Sequence, residues 1–275
     1  MSIELLKKYN IWAKKSLGQN FLVDEQKVQD IADYIDIQGK NIVEVGPGYG
    51  ALTEKLVEKN PDSLTLIELD QDMIDVLHDR GFWDDAEIKN MDVLQYHPDF
   101  SKYSVIANIP YYITSPILRH FLYSVENKPE QMLILMQQDV GDKILLGQNP
   151  SPLRGTFLKK GRIKSSVLSL FIAKKSRAKQ VLLVAKECFH PSPKIESSVL
   201  YFELHDEYSH IDDEAFLRII KIWFSSPRKK LIKNFTHGGL DKTHILEIFT
   251  ELWIDEVIRW EDLDIKKWCE LITKI

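Results

Sequence analysis

At 275 residues the chain has room for one large domain and a small appendage, and its 44% hydrophobic content is that of an ordinary folded protein, which excludes a disordered or fibrous chain. Its only cysteines, Cys188 and Cys269, are too few for a disulfide framework and have no metal-ligand spacing, so a reducing compartment and a site without metal are expected. The net charge of −5 argues against a nucleic-acid partner until its distribution is seen: Ala51 to Asp142 holds 17 Asp and Glu against 7 Lys and Arg, whereas Lys143 to Lys194 holds 12 Lys and Arg against Glu187 alone.

Met1 to Lys15 has no apolar signal core, and the longest apolar run, Val167 to Ala173, is far below the ~18 residues of a membrane span, so a cytoplasmic protein without membrane contact is expected. Ile42 to Val45 is a short apolar run stopped by glycines, after which Leu52, Leu56 and Val57 recur at helical spacing: strand, glycine turn, helix. Further strands are predicted at Leu64 to Ile67, around Ile88, at Val105 to Ala107 and at Met132 to Met136. Ser115 as N-cap and Pro116 at the first helical position predict a helix over Ile117 to Tyr123. Val167 to Ala173, Val181 to Val184 and Ser198 to Phe202 are strand candidates that would complete the sheet. The alternation predicts an α/β fold with a doubly wound parallel sheet covered on both faces. Beyond Leu204 the stripes Phe216, Ile219, Ile220, Trp223, Phe224 and Ile265, Trp268, Leu271, Ile272, Ile275 predict a small all-helical domain, placing domains at 1–204 and 205–275.

The turn Glu44-Val45-Gly46-Pro47-Gly48-Tyr49-Gly50 puts glycines where backbone must approach a ligand closely, and Gly46 and Gly48 are the candidate contacts. Its G-x-G-x-G spacing is one residue short of the dinucleotide fingerprint, and a tight turn alone would also need these glycines. Glu68, 20 residues beyond Gly48 at a strand end, is positioned to accept from two ribose hydroxyls. Asp92, after the next strand, either accepts from a cofactor amine or merely begins the Asp92-Val93-Leu94 turn.

Asn108-Ile109-Pro110-Tyr111 follows the Val105 to Ala107 strand at the carboxyl edge, where doubly wound sheets bind ligands. An aromatic amine is a poor nucleophile, because its lone pair is delocalised into the ring. Carbonyl oxygens from the Asn108 side chain and from the Ile109 or Pro110 backbone can accept its hydrogens and turn the lone pair toward a methyl donor, while Tyr111 stacks on the base. An ordinary loop uses the same residue types, and it is the preceding glycine turn and two acids in strand order that favour chemistry.

With these motifs on one chain, the sequence resembles the ribosomal RNA adenine N6,N6-dimethyltransferases. The resemblance rests on Leu17-Gly18-Gln19-Asn20-Phe21-Leu22, the Glu44 to Gly50 turn, Ile67-Glu68-Leu69-Asp70, Asn108 to Tyr111, Phe189-His190-Pro191-Ser192-Pro193-Lys194 and Phe224-Ser225-Ser226-Pro227-Arg228-Lys229-Lys230. It implies a Rossmann-like class I methyltransferase domain with an N-terminal extension over 1–22 and S-adenosylmethionine as cofactor. It further implies that Asn20 and Leu22 line the cofactor cleft, that Gly46, Glu68, Asp92 and Asn108 bind the cofactor, that Tyr111 and Phe189 sandwich the target adenine, and that Arg228, Lys229, Lys230 and Lys233 contact RNA. The expected partner is small-subunit ribosomal RNA within an immature 30S subunit, met by a monomer. Lys159, Lys160, Arg162, Lys164, Lys174, Lys175, Arg177 and Lys179 form a denser candidate groove for phosphate. Tyr112 departs from the pattern, standing where these bacterial enzymes usually carry asparagine.

Two other readings stay open at this level. A sister enzyme of the same fold methylates large-subunit RNA and confers macrolide-type resistance, and a silent RNA-binding assembly factor would keep the scaffold without the reaction. A nicotinamide oxidoreductase fails on glycine spacing.

Overall fold

The computed structural model describes residues 2–146, 166–224, 229–258 and 263–275. After helix α1 (Ser2–Lys8) come the short strand β1 (Phe21–Leu22) and helix α2 (Glu25–Tyr34), whose N-cap Asp24 accepts from Lys27 N. The strands β2 (Asn41–Val45), β3 (Ser63–Glu68), β4 (Glu87–Asn90), β5 (Ser104–Asn108) and β6 (Gln131–Gln137) alternate with α3 (Ala51–Val57), α4 (Gln71–Asp79), α5 (Thr114–Arg119) and α6 (Gln138–Leu145). Later come α7 (Val167–Ala173), β7 (Ser176–Val184), β8 (Phe189–His190) and β9 (Ser197–Leu204).

The seven-stranded sheet has the order β4-β3-β2-β5-β6-β9-β7. The five strands from β4 to β6 are parallel to their neighbours, and β9 runs antiparallel to β6. Winding proceeds from β2 to β3 and β4 on one side and resumes with β5 and β6 on the other, so the switch point lies between β2 and β5, where Val45 pairs with Ala107. That is where the carboxyl ends of neighbouring strands diverge and leave a crevice. Val43, Val45, Val105 and Ile106 are all buried, because a parallel strand covered on both faces has no solvent side.

Two local expectations are corrected. The run Val167–Ala173, expected as a strand, is helix α7: Ser166 Oγ accepts from Ser169 N at 3.0 Å and Ser169 Oγ from Ser166 N at 2.7 Å, a reciprocal cap that satisfies two N-terminal donors. Residues 169 to 173 are buried on every side, which removes the periodicity that distinguishes helix from strand. The helix expected to start at Ser115 and Pro116 begins instead at Thr114, after a 3₁₀ turn over Tyr111–Ile113, and continues as a π-helical turn over His120–Ser124. Pro116 still lies in the first turn, where its missing N–H has no partner to lose.

The chain divides into two compact units, residues 1–141 with 179–204, and residues 142–178 with 205–275. The division differs from the expected cut after residue 204, because Leu170 and Ala173 of α7 join the helical core. That core is built on α8 (Asp213–Phe224), α9 (Leu231–His237), α10 (Lys242–Glu251) and α11 (Ile265–Lys274), with Phe216, Phe235, Phe249 and Trp268 fully covered. Among the described residues no helix is long and apolar enough to cross a membrane, and no cluster of His, Cys, Asp and Glu could hold a metal ion.

Candidate active site

The glycine turn after β2 forms one wall of a cleft that opens to solvent. Gly46 and Gly48 have φ of 70° and 57°, a region that L side chains disfavour. A Cβ on Gly46 would lie 3.0 Å from the Asn108 carbonyl oxygen, so the ends of β2 and β5 approach as closely as they do only with glycine there.

Glu68 ends β3 at the same level. Its Oε2 accepts from Gly48 N at 3.1 Å, and its Oε1 accepts from Leu69 N and Asp70 N at 2.8 and 2.9 Å. Burial raises its pKa, and the three backbone donors oppose that rise. Asp70 is held in turn by Lys14 Nζ at 2.5 Å and Gln19 Nε2 at 2.7 Å; burial works against its ionised form, but these partners keep its pKa below the ordinary value. The N-terminal extension is thereby fastened beside the glycine turn.

Two further ties close that side. The Tyr49 hydroxyl donates to the Leu22 carbonyl at 2.8 Å, and β1 pairs antiparallel with β8, setting Leu22 opposite Phe189. Asn20 lines the cleft with its Nδ2 donating to the Gly18 carbonyl at 3.2 Å. Phe189 is buried and also lines the cleft. Asp92 lines it too, and one of its oxygens caps the following 3₁₀ turn by accepting from Leu94 N at 2.9 Å. The turn-starting role expected of Asp92 is thus observed, and the residue also faces the cleft.

Across the cleft stand Asn108 at the end of β5, half-buried, and the loop Ile109-Pro110-Tyr111. The loop is braced: Ile113 N donates to the Pro110 carbonyl at 3.2 Å, Thr114 Oγ1 to the Tyr111 carbonyl at 3.0 Å, and the Tyr111 and Ser197 hydroxyls share a hydrogen bond of 2.8 Å. Burial raises the Tyr111 pKa, so its phenol is neutral over the physiological range.

Asn20, Leu22, Gly46, Gly48, Glu68, Asp92, Asn108, Pro110, Tyr111 and Phe189 are thus gathered around one cleft. The basic candidates are not gathered in this way. Arg228 and the positions 159, 160, 162 and 164 lie outside the described residues; Lys229, Lys230 and Lys233 are exposed. Lys174 is corrected: it is 1% exposed, paired with Asp213 and donating to the Ile211 carbonyl at 2.8 Å, so it is part of the helical core's support and not a phosphate contact. Lys175 pairs with Asp213 at 2.8 Å, Arg177 with Glu207 at 3.1 Å, and Lys179 sits over the rings of Tyr34 and Tyr201.

Sequence reasoning missed Ser197, Gln19 and Glu44. Glu44 lies in β2, 1% exposed and lining the cleft; Thr53 Oγ1 donates to its Oε2 at 2.8 Å, and among the described residues Oε1 has no partner. Burial foremost, with the nearby Glu68 charge adding, pushes its pKa up to about 8. The signal for Glu44 was present, since a strand covered on both faces buries every residue it carries.

The architecture and the sequence both have known counterparts. The fold superposes on a dimethyladenosine transferase from Plasmodium falciparum with a TM-score of 0.74 at 20% identity, covering 91% of this chain and 96% of that one. It superposes on the 23S rRNA methyltransferase ErmE with a TM-score of 0.71 at 18% identity, covering 93% and 99%. In sequence the chain is 35% identical over 253 residues to a ribosomal RNA small subunit methyltransferase A of Mycoplasma mobile, covering 92% of this chain and 94% of that protein. It is 32% identical over 286 residues to the protein of the same name from Bacillus pumilus, covering 98% and 93%. The family model described as ribosomal RNA adenine dimethylase matches residues 11–275. A cleft at the switch point of a Rossmann-like sheet, joined to a family match over nearly the whole length, makes the chain a member of the ribosomal RNA adenine dimethylase family, an adenine dimethyltransferase whose methyl donor is S-adenosylmethionine.

Proposed function

We propose that the enzyme dimethylates N6 of two adjacent adenines near the 3′ end of small-subunit ribosomal RNA, acting as a cytoplasmic monomer on the assembling subunit. The observation that carries the reading is the approach of Asn108 to Gly46 across the switch point, in one cleft with Glu68. The names of the sequence relatives support the small subunit over the large one.

The donor set fits the cofactor. Glu68 is a buried carboxylate fixed by three backbone N–H groups, which leaves Oε2 a free lone pair to accept from a ribose hydroxyl. Asp92 is an acceptor at the next strand end, and Leu22, Met91 and Val93 supply apolar lining for an adenine ring. The bare backbone at Gly46 lets the Asn108 carbonyl close on the glycine turn, which brings the acids of the first strands and the Asn108 loop to one cleft. When bound, S-adenosylmethionine supplies a methyl group on a positively charged sulfur, electrophilic without further activation.

The protein's task is then the amine. The Asn108 side-chain carbonyl accepts one amine hydrogen and a loop carbonyl accepts the other, so the nitrogen lone pair is directed toward the methyl group. The Pro110 carbonyl already receives Ile113 N, which fixes the loop's orientation but leaves that oxygen a second lone pair. Tyr111 and Phe189 hold the base from its two faces, and the Ser197 hydroxyl keeps the Tyr111 ring from turning away.

The test uses small and large subunits from a strain lacking this methylation, incubated with purified protein and labelled cofactor, followed by mass spectrometry of nucleosides. Dimethyladenosine in small subunits alone is the expected result; label confined to large subunits would overturn the reading. Absence of cofactor binding by calorimetry would make the protein a silent assembly factor.

A further inference from the structure

Tyr111 and Tyr112 are consecutive but meet different surroundings. Tyr111 is half-buried and tied to Ser197, whereas Tyr112 lines the same cleft with 64% of its surface exposed. An exposed aromatic usually costs side-chain order, yet this one is seated. A Cβ on Gly18 would lie 3.2 and 3.3 Å from Cε1 and Cδ1 of the Tyr112 ring, so one ring edge rests on backbone that Gly18, at φ +63°, leaves bare. The backbone beneath is held by the bonds from Ile113 N to the Pro110 carbonyl and from Thr114 Oγ1 to the Tyr111 carbonyl. The result is a fixed aromatic surface beside the pocket for the target base, presented to solvent.

Drawing one base out of an RNA strand uncovers a face of its neighbour, and unstacked RNA bases find aromatic side chains to cover such faces. We propose that Tyr112 stacks on the nucleotide adjoining the target adenine and so favours a purine at that position. The inference rests on the proposed RNA adenine methylation and adds a substrate contact that the reaction chemistry does not itself require. It assigns Gly18 a role as well: the glycine lets the ring lie where a side chain would displace it.

The experiment compares wild type with Tyr112→Ala and Tyr112→Phe. Steady-state methylation of unmethylated small subunits gives KM for the subunit and kcat; calorimetry gives cofactor affinity. A synthetic RNA hairpin with two adjacent loop adenines, the one adjoining the target replaced by 2-aminopurine, reports stacking on Tyr112 as fluorescence quenching. One base–aromatic stack predicts that Tyr112→Ala raises KM about tenfold, with cofactor affinity unchanged. Tyr112→Phe should stay within about twofold of wild type, since the ring and not the hydroxyl makes the contact. Quenching should appear with wild type and Tyr112→Phe and be lost with Tyr112→Ala. An unchanged KM in Tyr112→Ala, quenching that survives the alanine, or no quenching with wild type would each overturn the inference while leaving the reaction intact. A wild-type protein that methylates neither adenine would overturn the proposed reaction and this contact together.

Discussion

The cleft of the first unit and the lysines between residues 174 and 179 both look functional in sequence, and the structure treats them differently. Cleft residues arrive from strand ends that the sheet brings together, and what holds them is mostly backbone: three N–H groups on Glu68, and hydrogen-bonded turns under Pro110 and Tyr111. The lysines are absorbed by their neighbours, Lys174 by Asp213 and the Ile211 carbonyl, Lys179 by two tyrosine rings. A motif placed at a strand end is positioned by topology, whereas a count of charges says nothing about which of them the fold itself consumes.

The largest effect that sharpens this contrast is expected at Asn108. Asn108→Ala removes the one side-chain acceptor proposed for the amine, and loss of such a preorganised group costs about 3–4 kcal/mol of transition-state stabilisation, or roughly 10²–10³ in kcat. Single-turnover methylation measures this; turnover within a few-fold of wild type would strip Asn108 of its role. Lys174→Met tests the other side. It leaves Asp213 with one partner fewer beside a buried site, and breaking such a pair costs about 3 kcal/mol, to be read by urea denaturation. RNA affinity per folded molecule should not change; a selective loss of RNA binding would restore Lys174 to the phosphate groove.

Glu44 gives a smaller effect with a definite sign. Its carboxyl titrates near 4.5 when exposed and near 8 in the fold, so below the lower value both states are protonated and it contributes nothing to pH dependence. Between the two values the unfolded chain has released a proton that the folded chain keeps, and stability falls as pH rises until the folded group ionises as well. Glu44→Gln keeps the acceptor for Thr53 and removes the titration, so its advantage over wild type should grow between pH 5 and pH 8, by up to about 1.4 kcal/mol per pH unit. Thermal melts of the cofactor-free protein at several pH values measure it, and parallel curves for the two proteins would show that Glu44 is ionised in the fold.

How much of this was legible follows from the range of the interactions. The β2 turn, Glu68 at the end of β3 and Asn108 at the end of β5 are each local signals, and the parallel sheet converts three local signals into one cleft. The bond from Tyr111 to Ser197 joins residues 86 positions apart, and that from Gln19 to Asp70 joins residues 51 apart; no spacing announces either. Val167–Ala173 reads as a strand because an apolar run buried on every side has no period, although Ser166 and Ser169 hold the cap that decides it.

The smallest effect concerns Lys229 and Lys230, both exposed ahead of α9. Lys230 is the N-cap of that helix, a place where the helix dipole disfavours a cation and where its side chain caps no backbone N–H. Unlike Lys174, it is therefore not retained for the stability of its own element, and a Lys229→Gln, Lys230→Gln protein should melt no lower than wild type. If the two lysines meet phosphates, each releases counterions, and the slope of log affinity against log salt concentration should fall in magnitude by about 1 to 2. Filter binding of small-subunit RNA across a salt series measures that slope directly. An unchanged slope would place the phosphate contacts elsewhere on the protein, and the distinction between consumed and available charge would then have to be drawn around other residues.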